Sequence, residues 1–215
     1  MLTVVVGVGP GMGMSLARRF GAAGEVALLL RDEERGRSFV AELAARGVTA
    51  RAYAADIADE TALRAALARV RQHQGDPDVV VFNASAGPPG SPADVSTTDL
   101  ELAFRVGTLA AVVAFQEVLP AMRARDSGTF LVTGSGVALD PWPGGTALTL
   151  AKTAVRAFVL AAAKDLSGTG VHVATVTVAG VLGTPGFGPD AVAERFWELH
   201  EQPRGSWDAE VVHRG

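Results

Sequence analysis

Short apolar runs rich in β-branched residues alternate along this chain with longer segments in which Ala, Leu and Arg recur at helical spacing. The first kind predicts strands near 2–6, 25–30, 48–54, 78–82, 128–133, 171–177 and 209–213. The second predicts helices near 12–22, 33–46, 60–73, 99–124, 145–166 and 189–200. Such alternation is the mark of repeated strand–helix units on a parallel sheet. "VALLL" (26–30) and "DVVVF" (78–82) are almost unbroken apolar runs, as expected of strands covered by helices on both faces. "TTDLELAF" supplies a helix start, with Thr97 or Thr98 as cap and carboxylates in the first turn. The expected fold class is therefore α/β: a doubly wound, seven-stranded parallel sheet in three layers, forming a single domain over 1–215.

Composition narrows the function classes. With 48% hydrophobic and 20% charged residues, the 215-residue chain can bury a full core. A net charge of −4 and dispersed arginines give no polyanion-binding signal, so no nucleic-acid partner is expected. The absence of cysteine excludes disulfides and thiolate metal sites and fits a cytoplasmic location. "MLTVVVGVGPG" has no basic leader, and no segment runs to ~18 uninterrupted apolar residues, so neither a signal peptide nor a membrane partner is expected. His73, His172, His200 and His213 are scattered without metal-ligand spacing, and no metal site is expected.

Three Pro/Gly-rich stretches, 87–92, 141–145 and 183–189, follow the fourth, fifth and sixth strands. Ligands of open parallel sheets bind beyond the carboxyl ends of the strands, so these loops are expected to line a site. A fourth loop is more specific. "VVVGVGPGMGMSLARRF" places a strand, a glycine turn and an amphipathic helix in order. Glycines allow positive φ and let backbone N–H groups approach a diphosphate at the helix start. The pattern G-x-G-x-x-G fails, because Met12 stands where a glycine is required, whereas G-x-x-x-G-x-G fits Gly7, Gly11 and Gly13. Gly7, Gly9, Gly11, Met12 and Gly13 are thus candidate dinucleotide-binding residues in a Rossmann-like fold. At the end of the second strand Arg31 follows Leu30, and a guanidinium suits a ribose 2′-phosphate. NADP is favoured over NAD, although Asp32 beside Arg31 opposes a phosphate.

With these residues the chain resembles the short-chain dehydrogenase/reductase family from residue 1 to about residue 185. "AADIAD" is similar to the family's Asp-hydrophobic pair after the third strand, implying Asp56 and Ile57 around an adenine. "DVVVFNASAG" resembles its Asn-Asn-Ala-Gly motif, with Asn83 and Ala84 matching and Phe82 and Ser85 departing. "FQEVLPAM" and "GTFLVTGSG" resemble the long fifth helix and the strand that leads to the catalytic serine. "VHVATVTVAGVLGTP" resembles the sixth strand and its Pro-Gly-…-Thr loop; Ala179 replaces the proline, while Gly180 and Thr184 remain. By this resemblance Ser135 is the serine that polarises a substrate carbonyl. Lys152 is the lysine that holds the nicotinamide ribose. The family tyrosine falls on Leu148 and the family asparagine on Gly107. The single tyrosine, Tyr53, lies in the third strand, so no shift of register supplies the missing phenol.

A positioned general acid contributes about 10²–10⁴ in rate, and leucine supplies none of it. The resemblance therefore implies an NADP-dependent oxidoreductase with a degenerate active site, acting on a small carbonyl, imine or activated alkene. Two other readings stay open: a non-redox cyclase or isomerase, and a dinucleotide-binding protein without turnover. Lysine itself is informative, since all but two of the 19 Lys and Arg residues are arginine, and a compact ammonium reaches ribose hydroxyls better than a planar fork. Thr149 and Asp140 are weak candidate donors. One residue along a helix turns Thr149 ~100° from the tyrosine direction, and Asp140 precedes a proline as turn formers do. Thr133 and Ser85 fall close to the site by similarity, more simply as local polar groups.

The stretch 183–189 is short for a region that closes over substrate in the family. Phe187, Phe196 and Trp197 are expected either to wall the substrate or to pack the last helix on the sheet. The Ala/Val-rich helices 99–124 and 145–166 carry more apolar surface than one covered face needs, so a homodimer or homotetramer is expected.

Overall fold

The computed structural model describes all residues from Met1 to Gly215. Seven strands form one sheet: β1 (Leu2–Val6), β2 (Glu25–Leu30), β3 (Ala50–Ala54), β4 (Val79–Phe82), β5 (Gly128–Ser135), β6 (Val171–Val178) and β7 (Glu210–His213). Their order is β3-β2-β1-β4-β5-β6-β7, and every neighbouring pair is parallel. The strand order reverses between β1 and β4, which opens a crevice at the carboxyl ends of those two strands.

The helices are α1 (Met12–Gly21), α2 (Glu33–Ala44), α3 (Glu60–Gln74), α4 (Thr97–Phe104), α5 (Ala110–Ala124), α6 (Thr146–Asp165) and α7 (Pro189–His200). Two apolar cores lie on opposite faces of the sheet. One is built by α3, α5 and α6 around Phe115, Phe130 and Met122. The other is built by α1, α2 and α7 around Phe20, Leu28 and Phe196. Strands such as β1, β4 and β6 are buried along their whole length, which is why their sequences do not alternate.

Two expectations need correction. The helix expected over 99–124 is three pieces, because a π turn at Arg105–Leu109 interrupts it between α4 and α5. A π turn admits one extra residue, and here it brings Gly107 against α6: a Cβ on Gly107 would lie 3.3 Å from the Ala151 methyl. Beside it Thr108 Oγ1 donates to the Ala151 carbonyl at 3.0 Å. The cap of α4 is Ser96, not a threonine; its hydroxyl accepts from Asp99 N at 3.1 Å.

By length and composition, two helical stretches, Thr97–Ala124 and Thr146–Asp165, are apolar enough to cross a membrane. Both contribute to the core between the sheet and the α3, α5 and α6 layer.

Candidate functional site

The glycine loop is shaped by two different demands. Gly7 sits at φ +83°, and a Cβ there would fall 2.7 Å from Ala84 Cα. A Cβ on Gly13 would fall 2.7 Å from Val8 Cα. Chain packing alone therefore forbids side chains at these two positions. Gly9 and Gly11 differ, since a Cβ on either would meet nothing within 4 Å. Nothing in the protein requires glycine there, and the space beside both is open. Gly11 also begins α1 with no side-chain cap bond; Met14 N donates to the Gly9 carbonyl at 3.1 Å, while the Met12 and Gly13 N–H groups have no partner within the protein. Open space and two free donors are what an anion would need here.

The loop opens onto a cleft of about 950 Å³. Nine of the sequence candidates line it: Gly7, Gly9, Met12, Gly13, Arg31, Asp56, Ile57, Asn83 and Ala84. Ser85 also reaches it, as do Leu102 and Val106 from the far wall. Arg35 lines the cleft beside Arg31, and sequence reasoning missed it. The signal was available: Asp32 caps α2 by accepting from Arg35 N at 3.0 Å, which sets Arg35 in the first turn, four residues after Arg31. Both guanidiniums stand free of the ion pairs that hold most other arginines, such as Arg19–Glu194 and Arg156–Glu210.

Five candidates lie outside the cleft lining: Gly11, Ser135, Lys152, Gly180 and Thr184. Gly11 is exposed at its rim. Ser135 ends β5 in extended backbone, half-buried. Lys152 is buried at 4% exposure, and its Nζ donates to the Thr133 carbonyl at 2.7 Å. Burial without a neighbouring carboxylate lowers its pKa to about 8. Thr133 in turn donates from Oγ1 to Asn83 Oδ1 at 2.9 Å, and Asn83 Nδ2 donates to the Gly7 carbonyl at 3.0 Å. A continuous chain of hydrogen bonds thus runs from the lysine to the glycine loop. The role of Thr133 was not legible, because nothing local marks the end of one strand as facing another.

Gly180 and Thr184 belong to a tightly turned loop. A Cβ on Gly180 would lie 2.2 Å from the Phe187 ring, so that ring rests on the glycine backbone. Thr184 is exposed, and its Oγ1 donates to the Val181 carbonyl at 2.7 Å. Phe187 also stands edge-on to His213, with ring centroids 5.3 Å apart. Phe196 is fully buried in the α1 and α7 core, and Trp197 packs on Phe20 with Arg19 over its face. Packing, not a substrate wall, is the role of Phe196 and Trp197. The segment from Val178 to Pro189 is correspondingly short, with no helix of its own.

Leu148 is half-buried on α6, one turn before Lys152, and carries no proton. Thr149 is buried, and its hydroxyl points back to the Trp142 carbonyl at 3.5 Å, a weak contact that turns it from the cleft. Asp140 is exposed in the loop that precedes Trp142.

A family model described as short chain dehydrogenase matches residues 2–191. The chain belongs to the short chain dehydrogenase family. Among curated members, a short chain dehydrogenase of Pseudocercospora fijiensis is 32% identical over 172 residues, covering 78% of this chain and 55% of that protein. The NADP-dependent 3-hydroxy acid dehydrogenase YdfG of Salmonella typhi is 30% identical over 186 residues, 86% of this chain and 74% of its own. A metagenomic short-chain oxidoreductase solved in complex with NADP superposes with a TM-score of 0.91 at 28% identity, over 99% of this chain and 96% of that one. The chain spans between 55% and 65% of the length of several curated relatives that it matches.

Proposed function

We propose that this short chain dehydrogenase is an NADP-dependent oxidoreductase with a degenerate active site, working as one unit over 1–215 in the cytoplasm. The observation that carries the reading is the cleft itself. Open space beside Gly9 and Gly11 accommodates a diphosphate, while Asp56 and Ile57 line the wall after β3. Arg31 and Arg35 stand at the end of β2, where a 2′-phosphate would take their charge-assisted hydrogen bonds. The NADP in the metagenomic relative and the NADP-dependence named for YdfG support that choice over NAD.

The bound dinucleotide supplies a hydride. In the proposed site Ser135 donates one hydrogen bond to the substrate atom that gains electron density. Lys152 keeps one N–H on the Thr133 carbonyl and turns its remaining donors to the ribose. Gly180 and Thr184 border the nicotinamide side. Leu148 forms an apolar wall where an acid is expected, so the proton comes from water, or the substrate arrives needing none. A small iminium or activated alkene meets that condition better than a simple ketone.

Turnover of NADPH with ketones, iminium ions and activated alkenes, after titration with NADPH and NADH, tests this reading. Absence of binding by either nucleotide overturns it. A second reading, dinucleotide binding without turnover, is favoured by one observation: Leu148 and Gly107 leave both proton-handling positions without a titratable or hydrogen-bonding side chain. Tight NADPH binding with no hydride transfer to any of the three substrate classes selects it.

The protein is proposed to act as a homodimer or homotetramer. Leu109 and Leu150 are 53% and 44% exposed on adjoining helical segments, apolar area that a second copy would cover.

A further inference from the structure

The loops that follow β5 and β6 start from one point. Ser135 pairs with Val178 at the ends of the two strands, and a Cβ on the next residue, Gly136, would lie 2.8 Å from Ala179 Cα. The loops that leave this contact carry four large apolar side chains into solvent. Leu139 and Trp142 are 41% and 52% exposed, and Val181 and Leu182 are 70% and 43% exposed. Their positions do not follow from core packing. Trp142 lays its ring along Gly144 and Gly145, where an added Cβ would approach it to 2.6 Å, and leaves about half of its surface to solvent. Phe187 rests on Gly180 and keeps the β6 loop close to the sheet.

Charge is equally uneven. The segments 83–96, 134–151 and 178–190, which follow β4, β5 and β6, contain no arginine, lysine or histidine. Their charged residues are Asp94, Asp140 and Asp190, and Asp190 is tied to Arg18 at 2.9 Å. Of the basic side chains at this end of the sheet, Arg31 and Arg35 stand beyond β2, four strands from β6 in the sheet order, and Lys152 is buried on the Thr133 carbonyl. His213 faces the Gly186 carbonyl at 2.8 Å, and Arg214 follows it at the end of β7. A substrate carboxylate placed here would give up part of its hydration to these apolar side chains without gaining a counter-ion, at a net cost.

We infer that the apolar, base-free juncture of the β5 and β6 loops selects a largely apolar substrate without an anionic group and rejects carboxylates. The inference rests on the proposed oxidoreductase reading and deepens it. It sets this chain apart from the 3-hydroxy acid dehydrogenase to which it is similar, since a hydroxy acid carries the group that these loops cannot pair.

The test is ligand-observed NMR on the full chain, in the presence and absence of NADPH, with methyl acetylbenzoate and acetylbenzoate as a neutral and anionic pair of equal skeleton. The ester is expected to bind at least about tenfold more tightly than the acid. Trp142→Ser weakens the ester severalfold. Leu182→Arg, which adds a cation at the juncture, narrows or reverses the ratio, and Arg214→Ala leaves it unchanged. Both replaced residues at the juncture are exposed, and circular dichroism checks that the variants fold. Binding of the acid as tight as that of the ester overturns the inference, as does loss of acid binding in Arg214→Ala. So does binding of neither compound by a protein that a separate titration shows to bind NADPH. Loss of self-association in Trp142→Ser, read by sedimentation, would make the patch a contact between copies and also overturns it. Failure of NADPH itself to bind is read in its own titration and counts against the oxidoreductase reading instead.

Discussion

Lys152 hands its ammonium to the backbone of Thr133, with Nζ 2.7 Å from the carbonyl oxygen and no carboxylate beside it. The same threonine turns its hydroxyl to Asn83, which holds the Gly7 carbonyl. One residue at the end of β5 therefore ties the buried amine to the turn that shapes the cleft.

Thr133→Val removes the hydroxyl while leaving the carbonyl. Asn83 then loses the donor that orients its amide, and the Gly7 turn loosens. The loss of one such hydrogen bond costs about 1 kcal/mol, so NADPH binding is expected to weaken about fivefold. Thr133→Ser restores it. Isothermal titration calorimetry on the three proteins checks the pattern; equal weakening in the serine variant would reduce the role to packing.

Arg31→Ala and Arg35→Ala each remove one charge-assisted donor set from the end of β2. NADPH affinity is expected to fall about tenfold per variant, with NADH affinity nearly unchanged. Titrations with both nucleotides measure the selectivity directly. Parallel losses for NADH would remove the 2′-phosphate from the account.

The buried amine also predicts a pH-dependent stability. The Lys152 pKa is about 8 in the fold against 10.5 for an ordinary lysine. Below pH 8 both folded and unfolded chains carry the proton, and the fold bears the full cost of a desolvated charge. Between about 8 and 10.5 the unfolded chain holds more protons, so stability rises with pH across that window. Lys152→Met is expected to stabilise the fold at pH 7 by on the order of 1 to 3 kcal/mol and to flatten the rise. Urea denaturation from pH 7 to 10.5 reads both effects.

Assembly gives a further outcome. Leu109→Glu places a charge on an exposed apolar residue of the π turn and is expected to shift sedimentation toward monomer. A parent chain that is monomeric at micromolar concentration contradicts the proposed homo-oligomer.

Most of the architecture was legible from periodicity, because buried parallel strands and amphipathic helices differ so plainly in pattern. The breaks were not. Nothing in "FRVGTLAAV" marks a π turn, since the extra residue is accommodated by packing of Gly107 on Ala151, a contact 44 residues away in sequence. Local sequence placed Gly7 and Asp56 near the cleft. It could not show that Gly9 and Gly11 differ from Gly7 and Gly13, because that distinction depends on whether Val8 or Ala84 stands behind each Cα. The loop after β6 was the hardest region, where Phe187 settles on Gly180 through contacts that no spacing rule encodes.

The most direct measurement compares the parent with Leu148→Tyr in the NADPH-dependent reduction of one neutral ketone and one preformed iminium ion of similar size. The account predicts that both proteins bind NADPH and that the parent reduces the iminium ion in preference to the ketone. Leu148→Tyr should raise ketone reduction at least about tenfold, toward the 10²–10⁴ that a positioned acid supplies. A parent that reduces the ketone as fast as Leu148→Tyr, or that fails to bind NADPH, contradicts it.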